Sequence, residues 1–412
     1  MVSPGSIFTD TAAFADEAAW HAAARELRRH RPLLRVEADG WPPFWALTRY
    51  DDVMEIERRP EVWLNTRRVF LQPIDQSAAQ KASGTDMRMI IQMDDPDHKG
   101  YRGLTAAWFR PATLRQTMDS RLRELATRFV DQMAATGGTC DFASEIAKFY
   151  PLHVIMSILG VSESDEGRML RLTQELLGPD DAELQRPGEE RDQGLVETIL
   201  DFFAYFQRLS ADRRSTPTED VASRIANGLV DGEPIGDLEA MSYYVILATA
   251  GHDTTSSALA GGLEALIRHP ASRRRLQEEP ALIPNAVDEM LRWTSPVKQF
   301  LRTSTEDYVI HGQTIPTGDQ VLLSFAAANY DETVFEEPSR FDIARPNADR
   351  HLAFGFGKHF CLGAQLARME LRAFFSELLP RLDDIEIAGE CQRVQANIVS
   401  GFKHLPVSFR MR

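Results

Sequence analysis

The stretch DLEAMSYYVILATAGHDTTSSALAGGLEALIRH, residues 237–269, constrains this chain more than any other. It opens near Asp237 and Glu239, stops at Pro270 and keeps helical periodicity between them, so it spans ~50 Å at 1.5 Å per residue. Its first half, MSYYVILATAG, is apolar nearly all round, which requires burial on every face. A rod of that length crosses the whole protein.

Helical periodicity also marks Ala12 to Arg29, Ala112 to Ala135, Glu145 to Leu159, Leu195 to Ala211, Pro284 to Trp293 and Gly363 to Leu379. Short β-type runs occur at Leu34 to Val36, Phe44 to Thr48, Thr303 to Ile310, Gln320 to Ser324 and near the C-terminus. The fold class is therefore mainly α with small flanking sheets. The polar loops Gly178 to Gly194 and Asp212 to Glu219 are short and flanked by helices that need partners, so neither reads as a domain linker. One domain, 1–412, is expected, its β-rich portion drawn mostly from 30–70 and 300–325.

With 46 Lys and Arg against 61 Asp and Glu, the net charge of -15 repels nucleic acid and anionic membranes at long range. The N-terminus lacks a secretory pattern, and no apolar run reaches the ~18 residues of a span. A cytoplasmic protein without a membrane anchor is expected. Three scattered cysteines, Cys140, Cys361 and Cys391, disfavour disulfide frameworks and zinc ribbons.

Four constellations carry chemistry. In AGHDTT, Gly251 weakens a buried helix and Asp253 must be solvated or paired there. A helix-packing glycine before a solvated turn explains this; so does a loosened turn in which a Thr hydroxyl captures the Ala250 carbonyl and opens a groove for a small ligand. Glu289 and Arg292, at i, i+3 in NAVDEMLRW, are neighbours on any helix, and their position before the cysteine loop suits a buried lock. In MDDPDHKGYR, His98 and Arg102 share one helical face and suit a carboxylate or phosphate.

The fourth is HLAFGFGKHFCLG, residues 351–363. Gly355 and Gly357 allow positive φ, and Cys361 and Gly363 immediately precede a helix whose N-terminal amides stabilise a thiolate. Such a thiolate is either a nucleophile, with His359 as the nearby base, or a metal ligand.

The segment AFGFGKHFCLG resembles the haem-binding loop of the cytochrome P-450 family, whose pattern F-x-x-G-x-x-x-C-x-G is matched by Phe354, Gly357, Cys361 and Gly363. The other constellations follow in that family's order. The resemblance implies the P-450 fold, with haem b held between the long central helix and the helix after the cysteine, and Cys361 as axial thiolate. It implies that Ala250, Gly251, Phe354, Gly355 and Gly363 lie against the haem. His98, Arg102, Arg302 and His359 are implied propionate partners. Asp253 and Thr254 are the implied acid–alcohol pair, and Glu289 and Arg292 a structural pair completed by Arg340.

The implied activity is monooxygenation: one atom of O2 enters a C–H bond and the other leaves as water. Electrons would come indirectly from NAD(P)H, through a separate ferredoxin and ferredoxin reductase, because no redox segment follows Arg412. Lys358, Arg110, Arg368 and Arg372 form the expected basic docking patch on a monomeric enzyme. A peroxide-using haem enzyme and a non-catalytic haem sensor are the alternatives; neither calls for Asp253 and Thr254. By position in the family, the substrate pocket is lined from 69–93, 169–206, 247–251, 296–301 and 399–402. Leu247, Ala248, Val297, Phe300, Leu301 and Phe402 are prominent there, and they favour an apolar terpenoid or steroid.

Overall fold

A computed structural model describes residues 4–83, 87–177, 183 and 191–412. Seven helices position the site: α1 (Asp97–Ala106), α2 (Pro111–Ala135), α3 (Phe149–Leu159), α4 (Glu166–Leu177), α5 (Asp237–Arg268), α6 (Ile283–Thr294) and α7 (Ala364–Arg381). The long α5 is the axis, packed against α3, α4, α6 and α7. Its buried residues run round the helix, from Tyr243 and Tyr244 to Leu263 and Leu266, as the all-round apolar pattern requires. Gly251 sets the approach of α3, since a Cβ there would lie 2.7 Å from Ile155 Cγ1. The helix-packing account of that glycine is thus satisfied in full.

Local chemistry moves several element boundaries. The first long helix starts at Glu17 rather than Ala12, because Asp16 caps it by accepting from Ala19 N at 3.0 Å. The stretch before α3 is a π-helix, Phe142–Ala147. The helix Arg191–Ser215 runs through the first half of the expected loop at 212–219. Of the other expected loop, residues 178–182 and 184–190 lie outside the described residues.

Five strands, β1 (Leu33–Val36), β2 (Phe44–Leu47), β3 (Trp63–Leu64), β4 (Gln299–Ser304) and β5 (Gln320–Ser324), form one sheet in the order β1-β2-β5-β4-β3. Only β2 and β5 pair in parallel within it. The expected run from Thr303 to Ile310 is two strands, since the polar residues Thr305 to Asp307 turn the chain, with Asp307 accepting from Thr317 N at 2.8 Å. The smaller sheets include the C-terminal Pro406–Met411, which pairs with both Leu382–Ile387 and Thr139–Asp141.

The largest apolar cluster surrounds α5, and two smaller ones lie against the five-stranded sheet. Cys140 is buried in the main cluster, where burial pushes its thiol pKa up to about 12. No helix among the described residues is long and apolar enough to cross a membrane.

Candidate active site

Between α5 and the loop before α7 lies a cavity enclosing about 1510 Å³ of empty space, its open mouth included. One end is lined by Cys361, Phe354, Gly355, His359, His98 and Arg102, and the α5 wall by Ile246, Leu247, Thr249, Ala250, Gly251, Thr254 and Thr255.

Backbone geometry holds the cysteine. Cys361 N donates to the Phe354 carbonyl at 2.9 Å, closing the loop on itself. Gly355 and Gly357 take φ of 66° and 69°, conformations that side chains resist. A Cβ at Gly357 would also stand 2.5 Å from the Glu57 carbonyl oxygen. Burial pushes the Cys361 thiol pKa up; the backbone N–H groups of Gly363 and Ala364 and the charges of Arg102 and Arg368 pull the other way. Among the described residues no three His, Cys, Asp or Glu side chains cluster as a metal site.

The surrounding basic side chains fit the haem's carboxylates. The His98 and His359 rings lie 4.1 Å apart between centroids. Among the described residues, buried His98 Nε2 has no hydrogen-bond partner. Burial, with the charges of Arg302, His98, Arg102 and Lys358, drives the His359 pKa down to about 2. Arg102 lines the cavity and donates to the Phe360 carbonyl at 2.6 Å. A pair of carboxylates placed here relieves both the orphaned nitrogen and the mutual repulsion. Arg302 is near enough for its charge to act on His359, though it is buried, donates to Glu57 Oε1 at 2.5 Å and is not among the residues lining the cavity.

On α5 the Thr254 hydroxyl donates to the Ala250 carbonyl at 2.7 Å, the back-bond expected from AGHDTT. Thr254 lines the cavity. Asp253 does not; its Oδ1 lies 3.3 Å from His252 Nδ1, and its Oδ2 is buried without a partner among the described residues.

The structural lock has a different third member from the one expected. Glu289 receives both Nε and Nη2 of Arg292, at 2.7 and 2.8 Å, and its Oε2 accepts from Arg345 Nε at 3.0 Å. Arg345 also donates to the carbonyls of Glu336 and Arg340. Arg340 itself is 65% exposed and pairs with Glu337. Both arginines belong to FEEPSRFDIAR, and nothing in that string distinguishes them; only burial does.

The pocket list is corrected in the same way. Leu247, Val297 and Phe300 line the cavity, whereas Ala248, Leu301 and Phe402 do not. Ala248 is wholly buried on another face of α5. Leu301 points across the sheet from Phe300, as strand alternation requires, and packs with Phe8 and Phe44. Phe402 is covered by the Arg393 guanidinium at 4.0 Å. No described residue of 169–206 reaches the cavity, while Ile155, Ile246 and Ile398 do. The proposed basic patch also changes: Lys358 pairs with Asp95, and Arg368 holds Asp288 at 2.6 Å while lying 4.6 Å over the Phe354 ring.

A family model described as Cytochrome P450 matches residues 195–384. The chain is 41% identical to cytochrome P450-terp of a Pseudomonas species, over 96% of this chain and 95% of that one. It is 35% identical to the steroid C26-monooxygenase of Mycolicibacterium smegmatis, over 94% of this chain and 92% of the relative. Among solved structures, CYP108D1 from Novosphingobium aromaticivorans superposes with a TM-score of 0.92 at 38% identity, covering 99% of this chain and 98% of the other.

Proposed function

The chain belongs to the cytochrome P450 family and is a monooxygenase; on that premise we propose that Cys361 is its haem ligand and that its substrate is an apolar terpenoid or steroid. Haem b bound through a cysteine thiolate would supply the activation of O2, one atom going to substrate and the other to water. The observation that carries this reading is the Cys361 thiol on the surface of a cavity that Thr254 also lines.

The chain's own residues then divide the work. The amides of Gly363 and Ala364 favour the thiolate form of Cys361. His98, Arg102 and His359 receive the haem carboxylates. Thr254, whose hydrogen is directed to Ala250, offers its lone pairs to a water or a protonated group in the cavity. Asp253 moves protons towards it. Phe70, Ile90, Ile91, Val297, Phe300 and Val399 form an apolar wall that excludes bulk water and offers a substrate shape rather than charge. The names of P450-terp and of the steroid monooxygenase support the same substrate classes.

Electrons are proposed to come from NAD(P)H through a ferredoxin reductase and a ferredoxin. With Arg368 turned inward, docking falls chiefly to half-exposed Lys358 and to Arg110. Titrating the haem-loaded protein with terpenes and steroids tests the substrate class. Displacement of the haem's water by terpenes or steroids, seen as a spin-state shift, is the expected result. Shifts obtained only with charged or strongly polar compounds would refute it.

A further inference from the structure

Two segments form one side of the cavity: Pro296, Val297 and Phe300 around the start of β4, and Ile398 and Val399 near the C-terminus. They run antiparallel and bridge at Val297 and Val399. Lys298 N donates to the Ile398 carbonyl at 2.8 Å, and Ser400 N to the Pro296 carbonyl at 2.8 Å. Backbone alternation turns Lys298 away from the cavity that Val297 faces. Lys298 is 4% exposed and lies behind the wall. There its Nζ donates to the Ala396 carbonyl at 2.8 Å and stands 3.7 Å from the centre of the Phe14 ring. A second, smaller cavity also lies behind the wall, lined by Lys298 with Phe14, Glu17, His21, Ser295 and Ser400. A wall backed by a cavity rather than by close-packed side chains is held in place by its hydrogen bonds. Burial pushes the Lys298 pKa well below its ordinary value. An amine is therefore a costlier choice for this site than an apolar side chain of the same reach, and in either protonation state it donates to the Ala396 carbonyl.

We propose that Lys298 is a positioning residue that sets substrate specificity: its bond to Ala396 and its seat on Phe14 strap the two wall segments together and hold Val297 and Val399 at a fixed place in the cavity. This rests on the reading of that cavity as the haem and substrate chamber, and adds what fixes its apolar wall. Distant parts of the chain meet at the strap. Phe14 comes from the N-terminal region, Lys298 from the turn into β4 and Ala396 from the segment before Val399. The Lys298 carbonyl accepts from Ala326 N at 3.1 Å, which ties in the chain just after β5. The feature selected is apolar width. A ligand carrying a ring that reaches the wall gains contact with both valines, whereas a smaller ligand does not reach them. Loosening the strap acts from behind the wall and leaves Cys361 and Thr254 in place.

The test titrates the haem-loaded protein with imidazole and with 4-phenylimidazole, each of which binds haem iron through a ring nitrogen and is read by the shift of the Soret band. Lys298→Met removes the donor and keeps the length of the side chain. The wild type should prefer 4-phenylimidazole, and Lys298→Met should cut that preference by about tenfold, the scale of one misplaced methylene in an apolar pocket. Imidazole affinity and the reduced, CO-bound spectrum should stay as in the wild type. Phe14→Leu keeps the amine but thins its seat; it should move the preference the same way, and it decides the matter if Lys298→Met does not fold. Leu125→Ala, which empties a fully buried site on α2, separates positioning from general loosening, because its preference should match the wild type despite a lower melting temperature. An unchanged preference in Lys298→Met, or in Phe14→Leu where only that variant folds, overturns the proposal, as does an equal loss in Leu125→Ala. A wild type whose Soret band does not respond to imidazole would instead overturn the reading on which it rests.

Discussion

Single side chains on adjacent positions of one element do different jobs, and strand geometry decides which. Phe300 faces the cavity and Leu301, fully buried, faces the N-terminal cluster. Phe300→Ala should weaken the spin-state response to an apolar ligand with little change in melting. Leu301→Ala should leave the ligand response intact and cost about 2–5 kcal/mol of stability, the usual result of emptying a packed leucine site. Ligand titration beside thermal unfolding separates them; equal effects on both would contradict the assignment. At this scale the sequence was most informative where backbone chemistry leaves a trace in residue type. Gly355, Gly357, Cys361 and the Thr254 back-bond to Ala250 are all of this kind. It was least informative for Ala248, Leu301 and Phe402, because an apolar residue looks the same whether it faces a cavity or the core.

Elements are held by charges whose partners lie far apart in sequence. Glu289 is wholly buried between Arg292 and Arg345, which ties α6 to the segment before the cysteine loop. Removing one member strands a buried charge, so Arg345→Ala should destabilise by roughly 3–5 kcal/mol. Arg340→Ala, at an exposed pair, should cost less than about 1 kcal/mol. Denaturant unfolding checks the contrast, and the reverse ranking would return the lock to Arg340. The spacing of Glu289 and Arg292 was readable from sequence because both lie on one helix. The third arginine was not, because an irregular segment with carbonyls at Glu336 and Arg340 places it. The π-helix was hidden for a related reason: its residues carry ordinary helical periodicity, and only the bonding pattern sets it apart.

Across the molecule, the C-terminal strands close over the chain's middle, and His404 is one of the ties. Hydrogen bonds to Asp141 and Glu183 raise its pKa above 6.5. Asp141, despite burial that raises it, is held below its ordinary value by hydrogen bonds from Leu405 N–H and His404. A raised histidine pKa adds stability that is fully present below about pH 6.5 and is lost as pH rises through the folded value. The carboxylate sets the other limit: its contribution is lost as pH falls through the depressed Asp141 value. The melting difference between wild type and His404→Gln should therefore be largest near about pH 5 and shrink towards pH 9. A difference that grows with pH would show that His404 is not charged in the fold.

The whole fold is arranged to bring the Cys361 thiol, the Thr254 hydroxyl and the basic side chains of His98, Arg102 and His359 to a single cavity between α5 and the cysteine loop. The central claim is that Cys361 is the thiolate on which the oxygen chemistry depends. Its most direct test is the absorption spectrum of the reduced, CO-bound protein, beside that of Cys361→His. The wild type should show the long-wavelength Soret band diagnostic of thiolate ligation, and the variant should bind haem but lose that band. A wild-type spectrum of the imidazole-ligated kind, or a thiolate band that survives in Cys361→His, would contradict the account.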